Sequence, residues 1–471
     1  MNNLRSASSS RIQKIHFIGI GGSGMSGIAE VLHNLGYQIS GSDIHENEAT
    51  RRLQNLGCTV HYKHSADQVV NVQAVVVSSA ISDNNPELIK AHELNIPAVP
   101  RAEMLAEIMR FRFGIAVAGT HGKTTTTSLI THILNVAELD PTYIIGGILN
   151  SNGINAKLGE SDFLIAEADE SDASFLHLKP MLSVITNIDQ DHMATYDNDY
   201  HKLTDAFISF TSNLPFYGAC ILCADDSGVQ DILGDIHRPL VTYGFNEGSD
   251  VRATNITQQD RQMHFDVICK KYDQSFCVEL NLIGKHNILN TLAAIGVACE
   301  LDIGVDIIQS ALKTFSGVAR RLDYHGTLNI AGQSVALFDD YGHHPNEINA
   351  VFESLYNTYQ DRRLVVIFQP HRYSRTRDLF DDFARALSKA DALILLDIYP
   401  ASEQPIAHIN SGTLADAIRQ RSSLDPVVIK NIHEVLKVLP NVIQNNDVVL
   451  TLGAGDIHAL SALLIQEYAS S

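Results

Sequence analysis

Basic residues and cysteines are both in short supply, and each shortage narrows the field. Against 54 Asp and Glu the chain carries 34 Lys and Arg, a formal charge of -20. Such a field repels nucleic acid and anionic membrane surfaces, so neither is an expected partner, and a small anionic ligand requires a local basic pocket. Six cysteines in 471 residues (Cys58, Cys220, Cys223, Cys269, Cys277, Cys299), with no secretory leader, point to free thiols in a reducing, cytoplasmic compartment. Cys220 and Cys223 form a CxxC, but in the apparent strand Ala219–Cys223 side chains three apart face opposite ways, which argues against a shared metal. No apolar run approaches the roughly 20 residues of a membrane span, and no short-period repeat is visible. At this length one core is not enough, and two to four domains are expected.

The motif spacing fits three: residues 1–109, 110–322 and 323–471. A polar tail over residues 1–10, with Ser8, Ser9 and Ser10, reads as loose, and order begins near Ile12. From there apolar runs (Ile15–Ile20, Gln38–Gly41, Ala74–Ser78) alternate with helical stretches, the pattern of a parallel sheet with crossover helices. A second series begins at Ile115, with strands expected at Phe163–Ala166, Leu182–Thr186, Ala219–Cys223 and Leu240–Tyr243. It ends differently, in alternating segments Met263–Ile268 and Gln274–Leu282 that read as an appended antiparallel hairpin. The third series follows Arg321, at Val335–Phe338, Leu364–Phe368, Ala392–Leu396, Val427–Ile429 and Val448–Leu452. The fold class is therefore α/β in three parts, each on a mostly parallel sheet.

Between the apolar run Ile115–Ala118 and the helical run from Ser128 lies Gly119-Thr120-His121-Gly122-Lys123-Thr124-Thr125-Thr126-Thr127. A strand that turns through glycines into a helix aims unpaired N–H groups and the positive helix end at one point, and Lys123 adds a mobile charge. This reads as a triphosphate cradle, with Thr124 or Thr125 available to a magnesium ion. The spacing departs from GxxxxGK[ST], since Val117 stands five before Gly122.

Gly19-Ile20-Gly21-Gly22-Ser23-Gly24 is a GxGxxG between a strand and the helix Met25–Leu35, with Asp43 ending the next strand. In isolation it suggests a Rossmann-like nicotinamide enzyme whose acid contacts a ribose. Such a loop can cradle any diphosphate, and beside a separate triphosphate loop a nucleotide-diphosphate substrate is the better explanation. Gly21, Gly22, Ser23, Gly24, Met25, Ser26 and Asp43 are then its candidate ligands, with Ser79 and Ala80 of the loop after Ala74–Ser78 reaching the same crevice; a purely structural role for that last loop stays open.

Glu167-Ala168-Asp169-Glu170-Ser171-Asp172 crowds four carboxylates at a strand's end, which means a cation or a solvated loop, and Glu167 is the first choice of ligand. Thr186-Asn187-Ile188-Asp189-Gln190-Asp191-His192 ends the next strand similarly. His192 completes a magnesium site or, since imidazole is a soft ligand for that ion, packs. At Gly284-Lys285-His286-Asn287-Ile288-Leu289-Asn290 an asparagine amide pairs with adenine while His286 stacks, or Asn287 simply caps the helix.

These segments, with Arg320-Arg321, Asp339-Asp340-Tyr341-Gly342-His343-His344-Pro345 and His371-Arg372-Tyr373-Ser374-Arg375-Thr376, follow one another in an order that resembles the Mur ligases of bacterial cell-wall synthesis over nearly the whole chain. The resemblance implies a Rossmann-like first domain for a UDP sugar, a P-loop-type central domain for ATP with magnesium (or manganese), and a Rossmann-like third domain for an amino acid. It assigns Gly119 through Thr125, Lys123 and Thr124 above all, to the phosphates, Thr124, Glu167 and His192 to metal, and His286, Asn287 and Asn290 to adenine. Tyr341, His343, Arg372 and Arg375 fall to the amino acid and the reacting carboxylate, and Arg320 and Arg321 to the γ-phosphate. Siblings that add later amino acids carry a carbamylated lysine about four helical turns beyond the metal histidine. Here that region is Phe207 with Lys202 nearby, so no carbamate is expected, as in the alanine-adding branch.

The implied chemistry is attack of the carboxylate of UDP-N-acetylmuramate on the γ-phosphate, then attack of the L-alanine amine on the acyl phosphate, by a monomer or homodimer. Catalysis then rests on alignment and on cations. Lys123, Arg320 and Arg375 are the expected catalytic charges, and His343 is a candidate proton acceptor because its unshifted pKa lies near neutrality; a turn histidine held by Pro345 is the bland alternative. Arg372, Arg375 and Arg377 either fork carboxylates or are solvated. An NAD-dependent oxidoreductase, a nucleotide-switched binding protein and a related ligase that recycles a preformed peptide remain as competitors.

Overall fold

Runs of buried Val, Ile, Leu and Ala have no polar face to show to water, so they enter parallel sheets covered on both sides by helices. The computed structural model of the protein describes residues 12–78, 80–147, 150, 155–401 and 403–468. The N-terminal tail and Ser79 lie outside the described residues, as does the Ser23 side chain. Among the described residues the strands form three sheets, distributed over two compact units.

The first unit contains the first sheet and most of the second, residues 257–264 and 280–288 being grouped with the second unit. Strands β1 (Lys14–Ile18), β2 (Gln38–Ser42), β3 (Thr59–His61), β4 (Ala74–Val77) and β5 (Ala98–Pro100) are ordered β3-β2-β1-β4-β5, with parallel pairing throughout. The order reverses at β1, which opens a crevice at the carboxyl ends of β1, β2 and β4. The larger sheet comprises β6 (Phe113–Ala118), β7 (Thr142–Ile144), β8 (Ala156–Lys157), β9 (Phe163–Glu167), β10 (Leu182–Ile185), β11 (Ala219–Cys223), β12 (Leu240–Gly244), β13 (Val251–Gln259), β14 (Gln262–Cys269) and β15 (Gln274–Leu280). Its order is β15-β14-β13-β12-β11-β10-β6-β9-β7-β8.

The loops after β9 and β10 lie on one rim because both strands are neighbours of β6, one on each side, and not neighbours of each other. The appended hairpin is present, but it begins one strand earlier than the alternation suggested, at β13, and turns at Asp260 with φ 51°.

No break separates residues 1–109 from the central sheet in packing. One apolar cluster runs from Ile15, Phe17 and Met25 through Ile144 and Ala156 to Phe175 and Phe207. Gly27, on the helix Ser23–Asn34, makes the approach close: a Cβ there would lie 3.1 Å from Ala156 Cβ and 3.1 Å from Ile144 Cγ2. Phe207 is fully buried against Phe175, with ring centroids 5.1 Å apart, while Lys202 is half exposed and bonded to Asp197 at 2.6 Å.

The second unit is built on β16 (Asp323–Ile330), β17 (Gln333–Asp340), β18 (Leu364–Phe368), β19 (Ala392–Leu396), β20 (Val427–Ile429) and β21 (Val448–Leu452), ordered β16-β17-β21-β18-β19-β20. Strand β16 alone is antiparallel, and covers the edge of β17. Apolar clusters lie on both faces of this sheet, one around Phe338, Phe352 and Phe383 and one around Ile367, Leu396 and Leu460.

Candidate active site

Strand β6 ends at Ala118, and the chain turns through Gly119 (φ 124°) and Gly122 (φ 83°) into the helix Lys123–Val136. Both glycines are required. A Cβ on Gly119 would collide with the Thr186 hydroxyl, and one on Gly122 with the Asn290 amide oxygen. The end of β10 clamps the turn: Thr186 Oγ1 and Asn187 Nδ2 donate to His121 O at 2.6 and 2.9 Å, and His121 N donates to Asn187 Oδ1 at 2.8 Å. Asp189 N donates to Thr120 Oγ1 at 2.9 Å. The result is a rigid concavity bounded by backbone, with Thr124 and Thr125 buried at its helical side.

Lys123 lies against this turn, its side chain 17% exposed. The ammonium donates to Gly119 O at 2.6 Å, Thr120 O at 3.2 Å, and Glu170 Oε1 and Oε2 at 2.9 and 2.7 Å. Burial works against its charge, but the field and hydrogen bonds of Glu170 prevail and hold its pKa above the ordinary lysine value. Glu170, 2% exposed, is pushed up to about 7 by its burial, although Lys123 pulls the other way. Sequence reasoning passed over Glu170 for Glu167; the four-carboxylate cluster was the signal, but nothing in it singled out the lysine's partner.

Glu167 accepts a bond from Gly146 N at 2.7 Å, and His192 (φ 55°) sits 3.5 Å from Asp191 at the start of a short 3-10 turn. Among the described residues neither belongs to a cluster of three His, Cys, Asp or Glu ligand atoms within 4.8 Å. Oxygen donors from Thr124 and Glu167 suit magnesium, which keeps waters and phosphate oxygens as its remaining ligands, so the donor set fits that ion with few protein contacts. Asn290 presses its amide oxygen against Gly122 and accepts from Thr126 Oγ1 at 3.3 Å. What the structure gives Asn290 is a place at the phosphate loop.

The glycine loop after β1 is fixed by the end of β2. Gly19 N and Ile20 N donate to Ser42 O at 2.8 and 3.0 Å, and Gly21 N donates to Asp43 Oδ2 at 2.8 Å. Asp43 also accepts from Ile44 N and His45 N at 2.8 and 3.2 Å, so its carboxylate shapes the loop before any ribose arrives. Gly21 lets Asp43 and Asn47 approach: a Cβ would lie 2.8 Å from each. Gly22 is the N-cap of the helix Ser23–Asn34, with Met25 and Ser26 buried in its first turn, and Ala80 is exposed past β4. Arg101, which sequence reasoning missed, lies where a Gly24 Cβ would be 2.8 Å from Nη1 and bonds Asp169 at 3.3 Å.

In the second unit, β17 delivers Asp339 and Asp340 to a turn that leads into the helix Pro345–Thr358. Asp340 accepts from Leu322 N and Gly342 N, each at 2.7 Å, and burial raises its pKa to about 6. Arg320 pairs with Asp339 at 3.2 Å and reaches Gly453 O, Arg321 lies 3.8 Å from Glu347, and both guanidiniums sit over the Tyr341 ring at 5.0 and 5.1 Å. Glu347 was missed although a proline followed two residues later by an acid is a helix-start signature; its carboxylate accepts from His343 N at 2.9 Å and His344 N at 3.2 Å.

His343 departs from expectation. Burial first, then the charge of Arg375, lower its pKa to about 3, so the premise of a near-neutral base fails in this environment and its ring is a neutral hydrogen-bonding group. His371, stacked on Tyr399 at 5.5 Å, is lowered to about 4 by the same causes. Arg375 thus stands beside both histidines; Arg372 is exposed, and Arg377 is exposed and paired with Asp378 at 2.7 Å, the solvated alternative. At the start of the helix Lys285–Glu300, Asn287 lies inside the first turn and donates to Ile283 O at 2.8 Å, which rules out the capping role. Gly284 (φ 95°) makes room for Ser354 and His286, and His286 is lowered to about 4 by burial and by Arg321.

His286 carries a pH signature. Unfolded it titrates near 6.5, folded near 4, so below 6.5 the unfolded chain takes up a proton the folded one refuses. Its contribution to stability is complete above 6.5 and is lost as pH falls through 4. In urea titrations, the unfolding midpoint of His286→Gln is expected to drop less between pH 6.5 and 4 than that of the parent; identical drops would contradict the burial.

Comparison with known proteins follows this geometry. The family models described as "Mur ligase family, catalytic domain", "Mur ligase middle domain" and "Mur ligase, glutamate ligase domain" match residues 14–113, 117–298 and 320–455. The chain is 74% identical, over 99% of its length and 100% of the relative's, to a UDP-N-acetylmuramate–L-alanine ligase of Vesicomyosocius okutanii subsp. Calyptogena okutanii (strain HA). It is 72% identical, with the same coverage, to one of Ruthia magnifica subsp. Calyptogena magnifica. The crystal structure of a UDP-N-acetylmuramate–alanine ligase from Thermotoga maritima superposes with a TM-score of 0.83 at 28% identity, covering 97% of this chain and 99% of that one. The chain belongs to the Mur ligase family.

Proposed function

We infer that this protein joins L-alanine to the carboxylate of UDP-N-acetylmuramate at the expense of ATP, forming ADP and phosphate, in assembly of the peptidoglycan precursor. The observation that carries this reading is the clamped Gly119–Thr125 turn with Lys123 buried in it, in a chain 74% identical to a ligase of that name. The same identity favours L-alanine over a preformed peptide, and the relatives named above favour neither the nicotinamide reading nor a nucleotide-switched binding protein. The division into 1–109, 110–322 and 323–471 is supported by the family-model limits at 113/117 and 298/320. No helix of the described residues is long and apolar enough to cross a membrane, and we assign the reaction to the cytoplasm.

In the first step a carboxylate oxygen forms a bond to the γ-phosphorus and ADP departs. Lys123 exchanges Glu170 for phosphate oxygens, the turn N–H groups bind the chain of phosphates, and Arg320 and Arg321 neutralise charge on the transferring group. Thr124, Glu167 and His192 would hold magnesium, which would supply further positive charge there. In the second step the alanine nitrogen bonds to the acyl carbon and phosphate leaves. Arg375 and Arg372 fix carboxylates, Tyr341 packs beneath the arginines, and His343, its ring neutral, accepts a hydrogen bond from the amine, whose proton leaves with the departing phosphate. His286, Asn287 and Asn290 are assigned to adenine.

Phosphate release measured with ATP, magnesium, UDP-N-acetylmuramate and L-alanine should vanish when any one is omitted; release only with a tripeptide in place of alanine would overturn the assignment. Lys123→Ala should abolish release with the affinity for UDP-N-acetylmuramate unchanged in calorimetry, and equal loss of both would contradict the division of labour. Gly122→Ala forces a left-handed backbone on alanine, a cost of about 1–3 kcal/mol, and pushes Asn290 aside. Binding of a non-hydrolysable ATP analogue is expected to weaken about tenfold or more, and parental affinity would refute the cradle.

A further inference from the structure

Away from the groups assigned above, the first sheet buries a carboxylate with no role in the reaction. Glu87 lies in the first turn of the helix Pro86–Glu93, where the Asn85 side chain caps Glu87 N at 2.9 Å, and it is 0% exposed. Four groups converge on it. Ser42 Oγ donates to Oε2 at 2.6 Å, His64 Nδ1 is 3.0 Å from the same oxygen, Ser65 N donates to Oε1 at 3.3 Å, and His16 Nε2 is 3.6 Å from Oε1. Burial alone would drive the acid neutral, yet the bonds from Ser42 and His64, with the His16 imidazole nearby, hold its pKa below the ordinary carboxylate value. A buried charge of this kind is a poor source of stability compared with apolar packing, so its presence calls for another explanation.

Ser42 supplies one. It is the last residue of β2, and its carbonyl is the acceptor for both Gly19 N and Ile20 N, while the next residue, Asp43, accepts from Gly21 N. Two of the loop's N–H groups, those of Gly19 and Ile20, therefore meet one carbonyl, that of Ser42, whose side chain is tied, 0% exposed, to Glu87 and His64. We propose that Glu87 is a positioning residue for the UDP-sugar substrate: through Ser42 it sets the peptide from which the glycine loop is suspended, and it touches no substrate itself. This rests on reading the loop as the UDP cradle.

The test is steady-state kinetics by phosphate release, with direct calorimetry of UDP-N-acetylmuramate, on the parent, Glu87→Ala, Glu87→Gln and Ser42→Ala. Glu87→Ala and Ser42→Ala should raise KM and Kd for UDP-N-acetylmuramate about tenfold or more, with KM for ATP and L-alanine within about twofold of the parent. Glu87→Gln keeps an acceptor for Ser42 and should stay within about threefold of the parent for all three substrates. Equal loss toward all three substrates, or an unchanged UDP-sugar KM in either alanine variant, overturns the proposal. So does a glutamine variant as impaired as the alanine one. Should Glu87→Ala fail to fold, Ser42→Ala decides alone. Failure of the parent to bind UDP-N-acetylmuramate at all would instead remove the reading of the loop, and is seen before any variant is made.

Discussion

A buried ammonium governs the arrangement of the first unit. Lys123 is enclosed by its own turn and faces one carboxylate, Glu170, which is more deeply buried still. Deleting either partner strands a charge in a poorly solvated place, at a cost of about 3–5 kcal/mol, whereas the intact pair adds little to stability. Such a pair is the holding arrangement that the role we propose for Lys123 requires: a phosphate that displaces Glu170 must offer more negative charge and more acceptor oxygens than that carboxylate does. Everything near it serves that geometry. Gly119 and Gly122 let Thr186 and Asn290 come close, and the parallel pairing of β6 with β10 sets Asn187 where it can clamp His121 from both of its amide atoms.

Charge is handled differently in the second unit. Arg320, Arg321 and Arg375 stand among three histidines whose pKa values burial and arginine charge lower to about 3 or 4. At neutral pH the positive charge there comes from guanidinium groups alone, which do not titrate. Asp339 and Glu347 keep Arg320 and Arg321 from collapsing onto solvent, and the Tyr341 face supports both. In a chain with a formal charge of -20, this is the kind of local basic group an anionic substrate requires.

The strands that form the middle of each sheet were legible because a parallel strand covered on both faces must be a continuous apolar run; β6, β18 and β21 are buried at nearly every position. Strands β3 and β5 have three residues each and none of them buried, so they carry no apolar run, and β16, half exposed along its first half, reads as loop. The boundary expected at 109/110 is invisible in the packing because Gly27, Ala156 and Ile144 join the two sheets in one core, a contact between segments distant in sequence that no periodicity reports. Within the site, residue types announced the chemistry, but partners did not. Glu167 ends β9 and Glu170 lies three residues beyond it, and only the fold says which one meets the lysine. The pKa of His343 is lowered by burial and by Arg375, 32 positions on in the chain, against the pull of Glu347 four residues away, and of these the local sequence discloses only Glu347.

The two glycine loops of the first unit share a construction. In each, a turn after one strand is bonded to the first residues beyond, or the last residue of, the strand beside it: Thr186 and Asn187 after β10 hold the turn after β6, and Ser42 at the end of β2 holds the turn after β1. Binding N–H and C=O groups this way before the ligand arrives removes loop entropy from the cost of binding and leaves the remaining donors aimed at one place. The anchors differ in how they are themselves secured. Asn187 acts directly on the loop by its side chain, whereas Ser42 acts by its backbone and spends its side chain on Glu87 and His64. A backbone anchor needs its peptide plane fixed, and a short hydroxyl side chain bonded to a fully buried carboxylate is an effective way to fix it, since the acid has no solvent to turn toward. The buried charge is thereby explained by the loop it supports, not by the core around it.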